Sequence, residues 1–282
     1  MFLLTISSLL LVIVMGIGLY LKSEPIFLQH GVWDLLTESD WQPMKNKFGF
    51  FPFLAGSLWV TGLTILMALP VSLLLAVFLT EYSHSSVKRY VFPFLDVLAG
   101  FPSVIFGVWG TLTIVPLVSE VIAPYFVEYN SGYTVLTASI VMAVSVLPLL
   151  ISLFIEILSN VPKDFREASL SLGATKWQTV KHVLLRKTAP GLMAAVVLAI
   201  SRALGETIAV LMVCGNLPEV PHSLLDACYP IPALIANNYG EMLSLPLYES
   251  ALMFAAFILF FVVLVFNLGS RILLRKVKAA SI

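Results

Sequence analysis

Six nearly uncharged apolar stretches of about 18 residues or more divide this chain, at roughly 2–21, 54–80, 93–118, 133–158, 190–215 and 251–274. Nothing else in the sequence restricts the fold so strongly. About 20 apolar residues cross the hydrocarbon core of a bilayer as a helix, and backbone placed there must satisfy its own hydrogen bonds. Runs such as ALMFAAFILFFVVLVF at 251–266 are apolar on every side, whereas the strands of a membrane barrel alternate every second residue. The expected fold class is therefore an all-α membrane protein with six transmembrane helices. With 59% hydrophobic and 11% charged residues, a soluble domain is excluded and little chain remains for an extramembrane one. The first run has no basic leader and no small-residue cleavage site after it, so it is expected to stay as a membrane helix.

Lys and Arg in the connections set the orientation. Segments 81–92 and 159–189 and the C-terminal end carry two, six and four of them, against three, none and none in 22–53, 119–132 and 216–250. Both termini are expected to be cytoplasmic and the latter three segments external. Domain organisation follows: a first helix with its external segment (1–53), a five-helix core (54–274) holding a cytoplasmic loop at 160–189, and a tail (275–282). The external segments hold ten acidic residues, so a free anion would be repelled there and an anionic substrate delivered rather than steered in.

Several function classes are excluded or left without support. The basic residues form no continuous stripe, so no nucleic-acid partner is expected. His30, His84, His182 and His222 fall in four different connections, with no pair at metal-ligand spacing, and no hydrolase triad or redox motif is present. No cofactor, catalytic residue or metal site is expected. Cys214 and Cys228 are read as free thiols. Trp33, Trp41, Phe48, Phe50 and Phe51, with Pro43 and Pro52, are read as a belt of rings at the lipid headgroups rather than a ligand cage.

The loop 160–189, NVPKDFREASLSLGATKWQTVKHVLLRKTA, is too long for a turn and too polar to span. Pro162 suits a first helical turn, and Phe165, Ala168 and Leu172 recur at helical spacing before Gly173 supplies a left-handed stop. Thr175 and Gln178 form a capping box for a second short helix, with Trp177, Val180 and Val183 or Leu184 on one face. On pattern alone, this unit is equally an amphipathic hairpin on the inner leaflet and a docking device.

Glu167, Ala168 and Ser169, then Gly173, Val183, Leu185 and Pro190, resemble the EAA loop of ABC importer permeases. Ser169 stands where a second alanine is usual, and Arg186 where proline is frequent. The resemblance extends over about 41–274: WQPMKNKFGFFPFLAGSLWVTGLTILMALPVSLLLAVFLTEY, LAGFPSVIFGVWG and SRALGETIAVLMVCGN are similar to the phosphate permeases of the PstC/PstA family, and Trp41, Pro43, Phe48 and Gly49 favour the PstC type. The resemblance implies the type I ABC importer permease architecture in the cell inner membrane. It also implies a subunit that translocates inorganic phosphate by alternating access beside a homologous PstA-like permease, two PstB-like ATP-binding subunits and an external PstS-like phosphate-binding protein. The loop residues Phe165, Glu167, Ala168, Ser169, Leu172 and Gly173 would then couple to the ATPase. No G-x-x-x-x-G-K-[ST] is present, so ATP must be hydrolysed on another chain. The rivals are a related permease for another oxyanion (phosphonate, sulfate or molybdate) and an ATP-independent secondary carrier.

Charges within a span are expensive unless paired or wetted. Arg202 and Glu206, four apart in the fifth run, are expected on one helix face. They are either an ion pair that fixes packing, or a guanidinium fork offered to a phosphate oxyanion with Glu206 holding it when the path is empty. Ser103 could donate to the same anion, although Pro102, Ser103, Gly107 and Gly110 read first as a close-packing surface. Asp96 and Glu156 are read as interfacial carboxylates.

Overall fold

The structure, a computed structural model, describes residues 2–240 and 246–280. Among the described residues, six helices are long and apolar enough to cross a membrane, at Leu10–Phe27, Phe51–Tyr82, Ser103–Tyr125, Val135–Ser159, Lys176–Gly205 and Leu247–Gly269. In chain order the elements are α1 (Phe2–Phe27), α2 (Val32–Thr37), a hairpin of β1 (Trp41–Gln42) and β2 (Lys47–Phe48), α3 (Phe51–Val77), α4 (Ser85–Ala99), α5 (Ser103–Trp109) and α6 (Val135–Ser159). They continue with α7 (Lys163–Ser171), α8 (Lys176–Gln178), α9 (Leu185–Gly205), α10 (Ile208–Leu211), α11 (Ile231–Asn238) and α12 (Pro246–Ala280). Wide π turns prolong α3 at Phe78–Tyr82, follow α5 at Gly110–Ile114 and Leu117–Ile122, and join α8 to α9 at Thr179–Leu184.

The run expected at 93–118 is two elements. α4 is amphipathic, burying Leu95 while Tyr90, Phe94 and Asp96 are exposed. It stops before Pro102, whose ring disfavours helical backbone at Phe101, and the span restarts at Ser103. Hydropathy counted through that break. At the ends of the chain, α1 and α12 both outrun their apolar windows. The tail expected at 275–282 continues α12 as far as Ala280, and residues 281 and 282 lie outside the described residues, as do 241–245 of the external segment 216–250.

The chain divides into two compact units. The first comprises Met1–Val60, Gly107–Ala138 and Leu204–Leu264. Its core is aromatic. Phe48, Phe50 and Phe53 are buried with Ile26, Leu35, Tyr229, Tyr248 and Phe254, and the Trp41 ring meets Phe53, Phe50, Phe48 and Tyr248 at centroid distances of 4.8, 5.2, 5.7 and 5.9 Å, all edge-on. The hairpin makes this possible: Trp41 pairs with Phe48, and Asn46 turns the chain at φ 55°. Gly49 must lack a side chain, since a Cβ there would stand 2.3 Å from the Glu38 carbonyl oxygen. The belt reading is thus corrected for Phe48 and Phe50, which are core, and for Trp41, which is half-buried against them; Trp33 and Phe51 are exposed. A segment long enough to fold back on itself buries its rings instead of laying them along the headgroups. Ser57 Oγ accepts the Ile231 N–H at 2.9 Å, satisfying a donor at the start of α11. Cys214 and Cys228 are free and buried, and the Cys228 N–H donates to the Cys214 carbonyl at 2.8 Å.

The second unit comprises Thr61–Phe106, Ser139–Ala203 and Val265–Ile282. It packs Leu79, Leu95 and Ile151 with Leu75, Val91, Leu147 and Ile155. Gly191 lets α9 approach α6, where a Cβ would meet Ile157 at 3.0 Å. Asn267 Nδ2 donates to Ser201 Oγ at 3.0 Å.

Candidate functional site

The loop after α6 forms largely as local chemistry dictates. Pro162, with φ −53° and ψ 141°, stands as the cap residue preceding α7 rather than inside its first turn. After Ser171 the helix closes through Leu172, and Gly173 takes φ +83°, its N–H donating to the Leu170 carbonyl at 2.9 Å. Nothing stands within 4 Å of a Cβ built on Gly173, so the backbone angle and not space calls for glycine. Thr175 Oγ1 accepts the Gln178 N–H at 3.2 Å while Gln178 Oε1 accepts the Thr175 N–H at 2.8 Å, which is the expected capping box.

The second helix then departs from expectation, because it does not end. Through the wide turn Thr179–Leu184 it runs into α9, so the loop and the fifth span are one rod from Lys176 to Gly205, and a span at 190–215 is corrected accordingly. Val180, Leu184 and Thr188 are buried at helical spacing while Lys181, His182, Arg186 and Lys187 are exposed. The polarity that suggested a loop belongs to one face of a helix. Trp177 is exposed and does not share the buried face of Val180 and Leu184.

Within α7 the sequence-derived residues separate. Phe165, Glu167, Ala168 and Leu172 are exposed, Leu172 to 88%, and Gly173 is exposed beside them. The Lys187 ammonium lies 3.6 Å from the centre of the Phe165 ring, a cation–π contact. Ser169 turns the other way: its hydroxyl shares a 2.9 Å hydrogen bond with Thr179, tying α7 to the start of the following helix. The structure therefore brings an apolar-edged surface to the outside and leaves Ser169 as a tether beneath it.

Sequence reasoning missed the strongest polar contact of the region. Arg166 Nη2 meets Glu81 Oε1 at 2.9 Å and its Nε meets the same oxygen at 3.1 Å, with the two side chains only 19% and 10% exposed. The same guanidinium donates to the carbonyls of Val161 at 2.6 Å and Leu158 at 3.0 Å. Lys163 and Glu167 join Glu81 and Arg166 around an adjoining cavity of about 410 Å³. Glu81 closes one apolar run and Arg166 lies in a polar helix, and their separation of 85 residues left no local signal.

Arg202 lies in the last turn of α9, exposed. The helix ends at Gly205, and Glu206 and Thr207 are non-helical before α10 begins at Ile208. The expectation that Arg202 and Glu206 stack one turn apart on a continuous helix is corrected: glycine and a β-branched residue flank Glu206 and the helix gives way there. Ser103 opens α5 and is half-buried. Gly107 does serve close packing, since a Cβ would fall 2.6 Å from Met212 Sδ and 3.2 Å from Ala209 Cα. Asp96 and Glu156 are exposed. Among the described residues, no group of three or more His, Cys, Asp or Glu could hold a metal ion.

Comparison with known proteins adds four findings. The family described as "Binding-protein-dependent transport system inner membrane component" matches residues 68–279. The chain is 35% identical to the "Probable ABC transporter permease protein YqgH" of Bacillus subtilis, over 90% of this chain and 84% of that one. It is 32% identical to the "Phosphate transport system permease protein PstC" of Haemophilus influenzae, over 86% of this chain and 81% of that protein. Among solved structures, an inward-facing form of the MetNI methionine ABC transporter superposes with a TM-score of 0.57 at 20% identity, covering 81% of this chain and 94% of its own. That likeness speaks to the fold: a type I importer permease.

Proposed function

The chain belongs to the family of binding-protein-dependent transport system inner membrane components, and from that membership we propose that it is the permease subunit of an ATP-driven importer carrying inorganic phosphate across the cytoplasmic membrane. The observation that carries the substrate is the similarity to a PstC phosphate permease over 86% of the chain. The partners are a PstA-like second permease, two PstB-like ATP-binding subunits and a PstS-like external phosphate-binding protein. Both termini are cytoplasmic. In support of that orientation, the first unit holds three basic residues, Lys22, Lys45 and Lys47, while the other thirteen Lys and Arg of the chain fall in the second.

Transport proceeds by alternating access. ATP binding closes the ATPase pair, the exposed surface of Phe165, Glu167, Ala168, Leu172 and Gly173 moves with it, and the spans open outward to receive phosphate from the binding protein. Arg202 presents two parallel N–H donors to the oxyanion. Ser103 supplies a hydroxyl to the same anion.

The test is purification from native membrane followed by radiolabelled uptake in vesicles. Recovery of a P-loop ATPase and a second six-span chain, with ATP-dependent phosphate uptake that excess sulfate, molybdate or phosphonate does not compete away, is expected. Recovery of this chain alone, with uptake indifferent to ATP depletion, would overturn the reading.

A further inference from the structure

We propose that Arg166 and Glu81 are a positioning pair that passes movement of α7 to the two spans from which it hangs, so that without the pair ATP hydrolysis continues but no longer drives transport. The role rests on the importer reading above. Its geometry lies wholly within the second unit.

Most of α7 is exposed, and among the described residues its polar attachments to the unit are the Ser169–Thr179 bond, the Lys187–Phe165 cation–π contact and the hydrogen bonds of Arg166. Arg166 reaches in two directions. On one side its fork meets the carboxylate of Glu81, which stands in the wide turn Phe78–Tyr82 that ends the second span. On the other it donates to the carbonyls of Leu158 and Val161, at and just beyond the last turn of α6. The Leu158 carbonyl is among the acceptors a helix end leaves without an intrahelical donor, and the guanidinium also meets the negative end of the helix dipole there. A single planar cation thus joins the end of the second span, the end of the fourth and the middle of α7.

The pair is mostly buried and the guanidinium is bonded through all three of its nitrogens, which makes the joint stiff. A guanidinium can hold four oxygens in fixed directions, whereas an ammonium on a flexible stem cannot. Removing either partner leaves the other charge in a site built for two. The exposed face of α7 is untouched by such a change, because Phe165, Ala168 and Leu172 lie on the outside of the helix. A contact made by that face would persist while its mechanical connection to the spans is cut.

The experiment measures ATP hydrolysed per phosphate taken up, by the complete complex reconstituted with its binding protein. Wild-type complex serves first to test the importer reading: absence of ATP-dependent uptake there would count against that reading and this role together. With wild type active, Arg166→Gln and Glu81→Gln are expected to keep the ATPase subunits bound while raising the ATP-to-phosphate ratio about tenfold, within the usual range of coupling between distant sites. Arg166→Lys should recover only part of the ratio. An unchanged ratio in both glutamine variants would overturn the proposal. Should Arg166→Gln fail to assemble, the isosteric Glu81→Gln decides by the same ratio, and failure of both to hold the ATPase would mark the pair as a folding element, overturning it as well.

Discussion

The two units are assembled by opposite means. The first interlocks rings: Trp41 touches four other aromatic side chains edge-on, and the ion pairs Lys47–Asp40 and Lys22–Glu249 lie in solvent at its surface. The second has a small aliphatic core, and its ion pair, Glu81–Arg166, is mostly withdrawn from solvent, with the guanidinium bonded through all three nitrogens. An edge-on ring cluster loses much of its packing when one ring is removed but is insensitive to charge. A buried pair tolerates neighbouring packing changes but not loss of either charge. The difference teaches where rigidity comes from: in one unit from shape, in the other from a few directed bonds.

The largest expected effect would break the first half of that comparison. Phe53→Ala should cost about 3–5 kcal/mol, read as a lowered unfolding midpoint in detergent, because it removes a fully buried ring that touches Trp41, Phe50 and Tyr229. Trp33→Ala, at an exposed ring of the same segment, should stay within about 0.5 kcal/mol. If the two cost the same, the ring cluster is not what holds this unit.

Next comes Arg202→Ala, which should assemble normally and lose phosphate uptake; Arg202→Lys should also be poor, since a point charge cannot offer two parallel donors. Undiminished uptake by the alanine variant would remove Arg202 from the path and leave the second unit with its coupling role alone. A smaller change is Gly173→Ala, which forces a Cβ into left-handed backbone at about 1–2 kcal/mol and should loosen the turn after α7 with no steric clash, seen as faster amide exchange at Gly173 and Ala174. Slowed exchange there would mean that the angle is not strained.

The smallest effects concern titration in the first unit. The hydrogen bond with Cys214, and then burial, push the Cys228 thiol far above its ordinary value, so maleimide should label it slowly in the folded protein even at mildly alkaline pH and fast once unfolded. Equal rates in both states would contradict its burial. Lys47 donates to Asp40 and holds its carboxyl below the usual 3.8. A depressed folded value means stability present above the unfolded pKa and lost as pH falls through the folded one. The hairpin should therefore loosen slightly only below about pH 4, and Asp40→Asn should erase that acid dependence in an NMR titration of Trp41. A titration that persists in Asp40→Asn would assign it to another group.

How much of this was legible in the sequence depended on distance along the chain. The Thr175–Gln178 box and the left-handed Gly173 are events within four residues, and both are where the sequence places them. Six spans were countable because apolar length is a local sum. The break before Pro102 escapes that sum because the sum ignores one ring's steric reach, and the continuity of the short helix after Thr175 with the fifth span escapes it because the polar face at Lys181–Lys187 interrupts the apolar count. The pairing of Glu81 with Arg166 had no local trace at all. Arg202 and Glu206 show the converse error: a spacing of four has meaning only on an unbroken helix, and Gly205 ends this one.

The continuity of the helix from Lys176 to Gly205 also makes it a lever. Thirty residues at 1.5 Å each give a rod of about 45 Å, capped at one end by Thr175 and carrying Arg202 near the other. A tilt of roughly 3° about either end displaces the opposite end by about 2 Å, close to the difference between a hydrogen bond made and one missed. A push too small to rearrange α7 itself is magnified along that arm into a change in where a guanidinium can reach.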